Sequence, residues 1–410
     1  MAVEVKTRPI LRVLEGSRVS VFDETDPLKR VAVWGPPSIE AVLGQLLPPD
    51  KSLFHNNFDV FKGRKEFEGM VDILKAAEVE VLEARGKVAA ALPFVKGMPS
   101  TLSALSERLK VSARVLEGRY GRRCQYTEEI DDILASEVKV LGEEGAIKLN
   151  YLTALGKPYP MANLIYGRDQ TNVLGETMIF SRLRHGIRRP EVAFFRVMYQ
   201  DVLDRQDVHA VRNGGYFEGG DGIMFDHAAF VGVGIRSSMN GAFGIFTAIE
   251  PVLKKRGFDF FAVVEENQER LSGSINGGGI EMDDMHLDTF WMPIGPKKVL
   301  TCLESAGRRV VRRVWRDGAG FLRVSRETSF ISLMAQRGIE IYDIPVEEQR
   351  NYATNYLLLG KNQVLVPLSE NYQTRSILQR AGLVIIPADI KELVGGYGAV
   401  HCMTAALERG

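Results

Sequence analysis

The 410-residue sequence predicts an α/β fold in which short apolar strands alternate with amphipathic helices. Three observations near its start carry that prediction. From Leu28 the run LKRVAVWGPP is apolar until Gly35-Pro36-Pro37 stops it, as a strand entering a turn is stopped. Phe67, Met70, Val71 and Leu74 then recur at i, i+3, i+4 and i+7, which makes one apolar face on a helix over residues 64–77. The alternation in Val79-Glu80-Val81-Leu82 returns the period to two and completes a strand–helix–strand unit.

The next segment breaks the pattern. Between Pro99 and Leu155 the stretches TLSALSERLKVSARVLEGRY and TEEIDDILASEVKVLGEEG keep helical spacing with no strand-like run, so residues 99–155 read as a helical insertion in one catalytic domain spanning 1–410. After it, VAFFRVMYQDVLDRQ has helical spacing, and GIMFD, AAFVGVG, FDFFAVV, KKVLTCL, NYLLLG, QVLVPL and AGLVIIP read as strands. No long low-complexity segment interrupts them, and no repeat is visible in the residues themselves.

Composition restricts the class of function. At 45% hydrophobic and 25% charged residues the chain can bury a large core. Lysine plus arginine balances aspartate plus glutamate, 52 against 52, so no global basic field draws nucleic acid or an anionic membrane. Cys124, Cys302 and Cys402 are an odd number, widely spaced, with no C-x-x-C pair; they fit a reducing cytosol rather than a disulfide framework. The opening MAVEVKTRPILRV lacks the apolar centre of a signal peptide, and no run approaches the ~20 apolar residues of a membrane span. A soluble, cytoplasmic protein is expected, with the oligomeric state, a homo-oligomer included, left open.

Four polar clusters interrupt apolar surroundings. They are Asn163 to Gln170 with Arg182, Arg184, Arg188 and Arg189 after it; Phe217-Glu218-Gly219-Gly220-Asp221 with Arg236 beyond; Met285-His286-Leu287-Asp288-Thr289; and Cys402 in ELVGGYGAVHCMT. Each has an ordinary reading as a structural ion pair, a solvated bend, a metal half-site lacking its other ligands, or a turn. Alternation places His286 and Asp288 on one face of an extended segment, and Gly395, Gly396 and Gly398 place the Cys402 thiol on a flexible loop. Taken together, a thiol, an imidazole and several carboxylates suit a guanidinium substrate. Paired carboxylates hold the planar cation, a thiolate attacks its electrophilic carbon, and the cation beside the thiol favours ionisation. The histidine would move protons between leaving amine and water.

The set NLIYGRD, FEGGD, HLD and GAVHCMT, in that order, resembles the guanidine-modifying (amidinotransferase) superfamily, and within it arginine deiminase. The resemblance implies a five-bladed pseudo-symmetric α/β propeller, the pentein fold, carrying the helical insertion. It also implies Cys402 as nucleophile, His286 as general acid and base with Glu218 as its carboxylate partner, and Asp169 and Asp288 on the guanidinium nitrogens. Asn163, Arg188 and Arg236 match positions that hold the α-carboxylate of an arginine-like substrate. Two positions depart from the family: Tyr397 stands where an arginine gates the site, and Phe54 is followed by His55-Asn56-Asn57 instead of an acidic pair. The implied reaction is hydrolysis of L-arginine to L-citrulline and ammonia through an amidino-cysteine, with no metal or organic cofactor. The alternatives are transfer of the amidino group to an amine acceptor, a dihydrolase reaction giving ornithine and ammonia, and an arginine-binding protein without catalysis.

Overall fold

The computed structural model describes residues 19–52, 59–200, 207–211, 214–258, 260–266, 284–368 and 370–410. The N-terminal stretch MAVEVKTRPILRV, the Phe54 to Asn57 segment and the last six residues of VAFFRVMYQDVLDRQ lie outside them. Among the described residues the strands form five separate mixed sheets, four of three strands and one of six.

Four of the sheets are built on one plan. An antiparallel pair is followed by a crossing connection that carries a helix, and the chain then returns parallel to the second strand of the pair. Thr171–Leu174 pairs with Thr177–Phe180, helix Glu191–Gln200 crosses, and Asp207–Ala210 returns alongside. Gly222–Phe225 and Ala228–Val233 are followed by helix Met239–Lys255 and then Phe260–Glu265. Trp291–Gly295 and Lys298–Thr301 lead to Glu340–Asp343, with helix Phe330–Gln336 before it. Leu357–Gly360 and Gln363–Pro367 lead through helix Tyr372–Arg380 to Val384–Ala388. A parallel return needs such a crossover, which sets the spacing of the elements along the chain.

The remaining sheet joins the two ends of the described chain. Leu28–Val33 pairs parallel with Glu80–Glu83 after helix Val60–Ala76, but its antiparallel partner is the final strand, Ala405–Arg409. Cys402 therefore lies immediately before a strand that is held by residues from the other end of the sequence. The ribbon Val310–Arg316, Leu322–Val324 and Thr328–Ser329 widens the sheet of Gly222–Phe225 to six strands.

The predicted strands at Leu28, Gly222, Ala228, Phe260, Lys298, Leu357, Gln363 and Val384 are present, as is the helix over residues 64–77, which begins earlier, at Val60. The two long helices are Leu102–Tyr120 and Ile130–Asn150. The first is capped by the Thr101 hydroxyl, which accepts from the Ala104 amide, and ends at Gly121 in the left-handed region. The second is broken at Gly142, where φ 71° and ψ 164° are open to glycine and costly for other residues. Leu105, Leu109, Ile130, Ile133 and Leu134 pack with Val42 and Leu46 in one apolar cluster. Glu137 fixes this helical pair to the first sheet's connections, accepting from Arg64 at 2.9 Å and Arg85 at 2.6 Å in buried surroundings. No helix among the described residues is long and apolar enough to cross a membrane.

Candidate active site

The Cys402 segment is not the flexible loop that its glycines predict. Val400–Met403 forms one helical turn, and Cys402 is 2% exposed. Asn355 organises the turn: its Oδ1 accepts from the amides of Ala399 at 2.9 Å and Cys402 at 3.0 Å, and its carbonyl accepts from the His401 amide at 3.2 Å. Two of the three glycines, Gly396 and Gly398, supply close approach, whereas a Cβ on Gly395 would meet open space. A Cβ on Gly398 would sit 2.8 Å from the Tyr166 ring and 2.9 Å from Cys402 Cβ, and one on Gly396 would overlap the Tyr166 hydroxyl. That hydroxyl donates to the Leu393 carbonyl at 2.5 Å and ties the approach segment down.

His286 is extended, but the chain turns directly after it, and Asp288 belongs to the turn Leu287–Thr289. The predicted common face of an extended segment is therefore replaced by a bend, which still leaves both side chains buried in the site. The Glu218 to Asp221 stretch, whose ordinary reading was a solvated bend, is a buried turn over Gly219–Asp221. Asp221 Oδ1 accepts from the Leu287 amide at 3.0 Å and so joins the two turns. Gly220 leaves room between them. A Cβ there would lie 2.8 Å from His286 Nδ1 and 2.9 Å from Asp288 Oδ1.

The structure brings the five predicted catalytic residues together. His286 Nε2 is 3.0 Å from Glu218 Oε2, and its Nδ1 is 3.6 Å from Asp169 Oδ1. Cys402 Sγ lies 3.9 Å from Asp288 Oδ2. Asp169 Oδ1, Asp288 Oδ1 and His286 Nδ1 are buried without a hydrogen-bond partner. Each aspartate has its other oxygen engaged. Asp169 Oδ2 accepts from Arg188 Nη1 at 2.6 Å, and Asp288 Oδ2 lies 2.7 Å from His401 Nδ1. Asp169, Glu218 and His286 each offer a ligand atom within 4.8 Å of the others, a donor set that could hold a metal ion. Two carboxylates with unpartnered oxygens suit an organic cation equally well.

Charge in this closed site is arranged around the histidine. Burial would lower the His286 pKa, but Asp169, Glu218 and Asp221 outweigh it and raise it from 6.5 to about 9. Burial would raise Glu218, yet Arg236 and His286 hold it at about 2. Burial pushes Asp221 up to about 6 against the pull of His286. The Cys402 thiol is raised well above its usual range by burial and by the neighbouring Asp288 and Asp169. These shifts favour a protonated imidazole and an un-ionised thiol before a cation enters the site.

The residues assigned to the substrate's far end have protein partners. Arg188 donates from Nε to Glu191 at 3.1 Å and from Nη2 to the Asn163 carbonyl at 3.3 Å, in addition to its bond with Asp169. Asn163 Nδ2 donates to the Ser52 carbonyl at 2.7 Å. Arg236 Nη1 is 4.0 Å from Glu218. Tyr397, with φ +65°, packs with Ile187, Ile235 and Met285, the sequence neighbours of Arg188, Arg236 and His286. His401, Asn355 and Glu191 join the site without having been singled out as site residues. His401 had adjacency to Cys402 as a signal; Asn355, in NYLLLG, had none.

The arginine deiminase family profile matches residues 157–409 of the chain. The chain belongs to that family. The arginine deiminase of Streptococcus pneumoniae (strain Hungary19A-6) is 24% identical over 95% of this chain and 98% of its own length, and that of Halobacterium salinarum is 20% identical over 96% and 97%. Other relatives match over less: an uncharacterized protein of Aeropyrum pernix is 36% identical over 73 residues, so the chain spans 26% of its length. Among solved structures, DDAH from Pseudomonas aeruginosa has a TM-score of 0.53 at 14% identity, over 92% of this chain and 99% of that one. SxtG, an amidinotransferase from Microseira wollei, has 0.55 at 15% identity, over 95% and 97%. These similarities define a pentein-type α/β fold. Family and fold together support an enzyme acting on a guanidino group, by hydrolysis or by transfer.

Proposed function

We propose that the protein hydrolyses the guanidinium group of L-arginine to L-citrulline and ammonia through a covalent amidino-cysteine, and that its five sheets are the blades of a pseudo-symmetric propeller. One observation carries the reaction. Two carboxylates, Asp169 and Asp288, each have an unpartnered buried oxygen beside the thiol and the imidazolium.

A guanidinium seated against Asp169 Oδ1 and Asp288 Oδ1 offsets the two charges that, after burial, raise the Cys402 pKa, so substrate binding favours the thiolate, whose proton leaves to bulk water. The thiolate adds to the guanidinium carbon, forming a C–S bond. His286, kept protonated by Glu218 and Asp169, gives its proton to the leaving nitrogen as the C–N bond breaks and ammonia departs. The now neutral imidazole takes a proton from water, which attacks the amidino carbon. Collapse of that adduct breaks the C–S bond and expels the thiolate, which takes the adduct's hydroxyl proton as the carbonyl of citrulline forms and so becomes the resting thiol again. Arg236 and Arg188, with Asn163 beside them, face the α-carboxylate in this reading; Arg188 also steadies Asp169.

Product analysis after incubation with arginine tests the proposal. Citrulline and ammonia in equal amounts, formed without an acceptor, are expected, with an amidino adduct on Cys402 in quenched enzyme. Ornithine formed only with an amine acceptor would replace hydrolysis by transfer. Acceptor-independent ornithine with ammonia would indicate a dihydrolase. No product with any acceptor would overturn catalysis and leave a binding protein.

A further inference from the structure

The two carboxylates that flank the proposed guanidinium seat are held in the same manner by different partners. Asp169 gives one oxygen to Arg188 at 2.6 Å and leaves Oδ1 unpartnered. Asp288 gives one oxygen to His401 at 2.7 Å and leaves its own Oδ1 unpartnered. A Cβ on Gly220 would touch both Asp288 Oδ1 and His286 Nδ1, so the oxygen without a hydrogen bond lies on the histidine's side of the site. An ionised carboxylate only accepts hydrogen bonds, and the short contact therefore makes His401 Nδ1–H the donor.

The other side of the imidazole is also enclosed. His401 Nε2 lies 3.9 Å from Glu24 Oε1, and Glu24 is held in turn by Arg409 Nη2 at 2.9 Å and Arg168 Nη1 at 3.5 Å. The His401 carbonyl accepts from Arg168 Nε at 3.1 Å, which fixes the backbone beneath the ring. His401 and Asp288 are 0% exposed, so water does not replace these contacts.

We propose that His401 is a positioning residue for substrate binding: by holding Asp288 Oδ2 it turns Oδ1 toward the guanidinium and keeps the carboxylate from folding onto the Cys402 sulfur. This rests on the reading of the site as a guanidinium seat. Without the donor, Oδ2 would keep only the long, weak contact that the Cys402 thiol donates at 3.9 Å. Rotation of the carboxylate would relieve that cost and spoil the grip.

The test compares His401→Asn with His401→Gln. The asparagine amide reaches the position of Nδ1 and can still donate to Asp288, whereas the glutamine amide reaches the position of Nε2, on the Glu24 side. Cys402 is alkylated with chloroacetamidine, a planar cation, and with neutral iodoacetamide, and the rate ratio reports cation binding beside the thiol without need of turnover. His401→Gln is expected to lower that ratio about tenfold or more, and His401→Asn to stay within about threefold of wild type. Arginine KM should follow the same order. Equal ratios in folded Gln and wild-type proteins would overturn the assignment, as would equal losses in Asn and Gln. Nitrogen NMR of wild type labelled at its six histidines supplies a check without any variant: a His401 Nδ1 that carries no proton refutes the proposal. If the ratio behaves as expected but arginine gives no product, the proposed reaction fails while the role of His401 stands.

Discussion

At the scale of single residues, the site was legible wherever chemistry restricts the choice of side chain. Cys402, His286, Glu218, Asp169 and Asp288 could be named because NLIYGRD, FEGGD, HLD and GAVHCMT resemble the guanidine-modifying superfamily, whose chemistry needs a thiol, an imidazole and carboxylates. Asn355 was not legible, because an amide that orients a backbone turn can come from many places in a sequence. The assignment of Arg236 to the α-carboxylate predicts discrimination against agmatine, which lacks that group. Agmatine would forgo the charge-assisted contact between the α-carboxylate and Arg236, worth roughly 1–3 kcal/mol, so wild type should prefer arginine in kcat/KM by about tenfold or more, and Arg236→Ala should narrow the gap. Equal kcat/KM for the two substrates in wild type would remove Arg236 from this role. The electrostatics give a second prediction. A histidine whose folded pKa is raised from 6.5 to about 9 stays charged through neutrality, so its contribution to stability is complete below pH 6.5 and disappears as pH rises through about 9. The urea midpoint of wild type should fall over that window, and that of Glu218→Gln, which removes a partner of the imidazolium, should fall less. Parallel curves would show that the His286–Glu218 pair is not the origin.

At the scale of elements, periodicity found most strands that are continuous apolar runs, Trp291–Gly295 excepted, and missed those that are not. Thr171–Leu174 and Thr177–Phe180 are buried on both faces yet contain threonine and asparagine, and Asp207–Ala210 reads DVHA. Such strands are fixed by their neighbours in the sheet and not by local pattern. The Cys402 turn was misjudged for a related reason: glycine marks both a mobile loop and a tightly packed approach, and only the Tyr166 ring against Gly396 and Gly398 distinguishes them. Tyr397 lies between these two glycines. It packs with Ile187, Ile235 and Met285, so substrate entry past it requires that apolar cluster to part. If the ring serves as the cover, Tyr397→Phe should keep arginine turnover near wild type, because the apolar contact survives without the hydroxyl. Tyr397→Ala should lower kcat/KM or change how the Cys402 adduct divides between water and added amines. An unchanged rate and partition in the alanine protein would reduce Tyr397 to a residue of the loop exterior.

At the scale of the whole molecule, the repeated plan of the sheets was invisible in the residues because it is a rule of connection, antiparallel pair then parallel return, which very different sequences satisfy. What joins the two ends of the described chain is likewise unreadable locally, since it links residues nearly 400 positions apart. Arg409, on the last strand, donates to the Asp26 and Leu358 carbonyls at 2.9 Å each and pairs with Glu24 at 2.9 Å, tying the first sheet to the sheet of Leu357–Gly360. Glu24 and Arg409 are 2% and 4% exposed, so neither recovers solvation if the other is lost. Removing one member of such a pair costs about 3–5 kcal/mol, much of it the penalty of a stranded charge. Arg409→Leu should therefore lower the urea midpoint strongly. Because Cys402 is three residues before this strand, turnover should fail at lower urea than the bulk of the fold. Glu24→Gln in the same chain removes the stranded charge and should restore part of the loss, giving a coupling of about 1–3 kcal/mol in the double-mutant cycle. Strictly additive effects of the two substitutions would mean that this junction is carried by the strand's backbone pairing with Leu28–Val33, and that the ion pair beneath it contributes no coupling of its own.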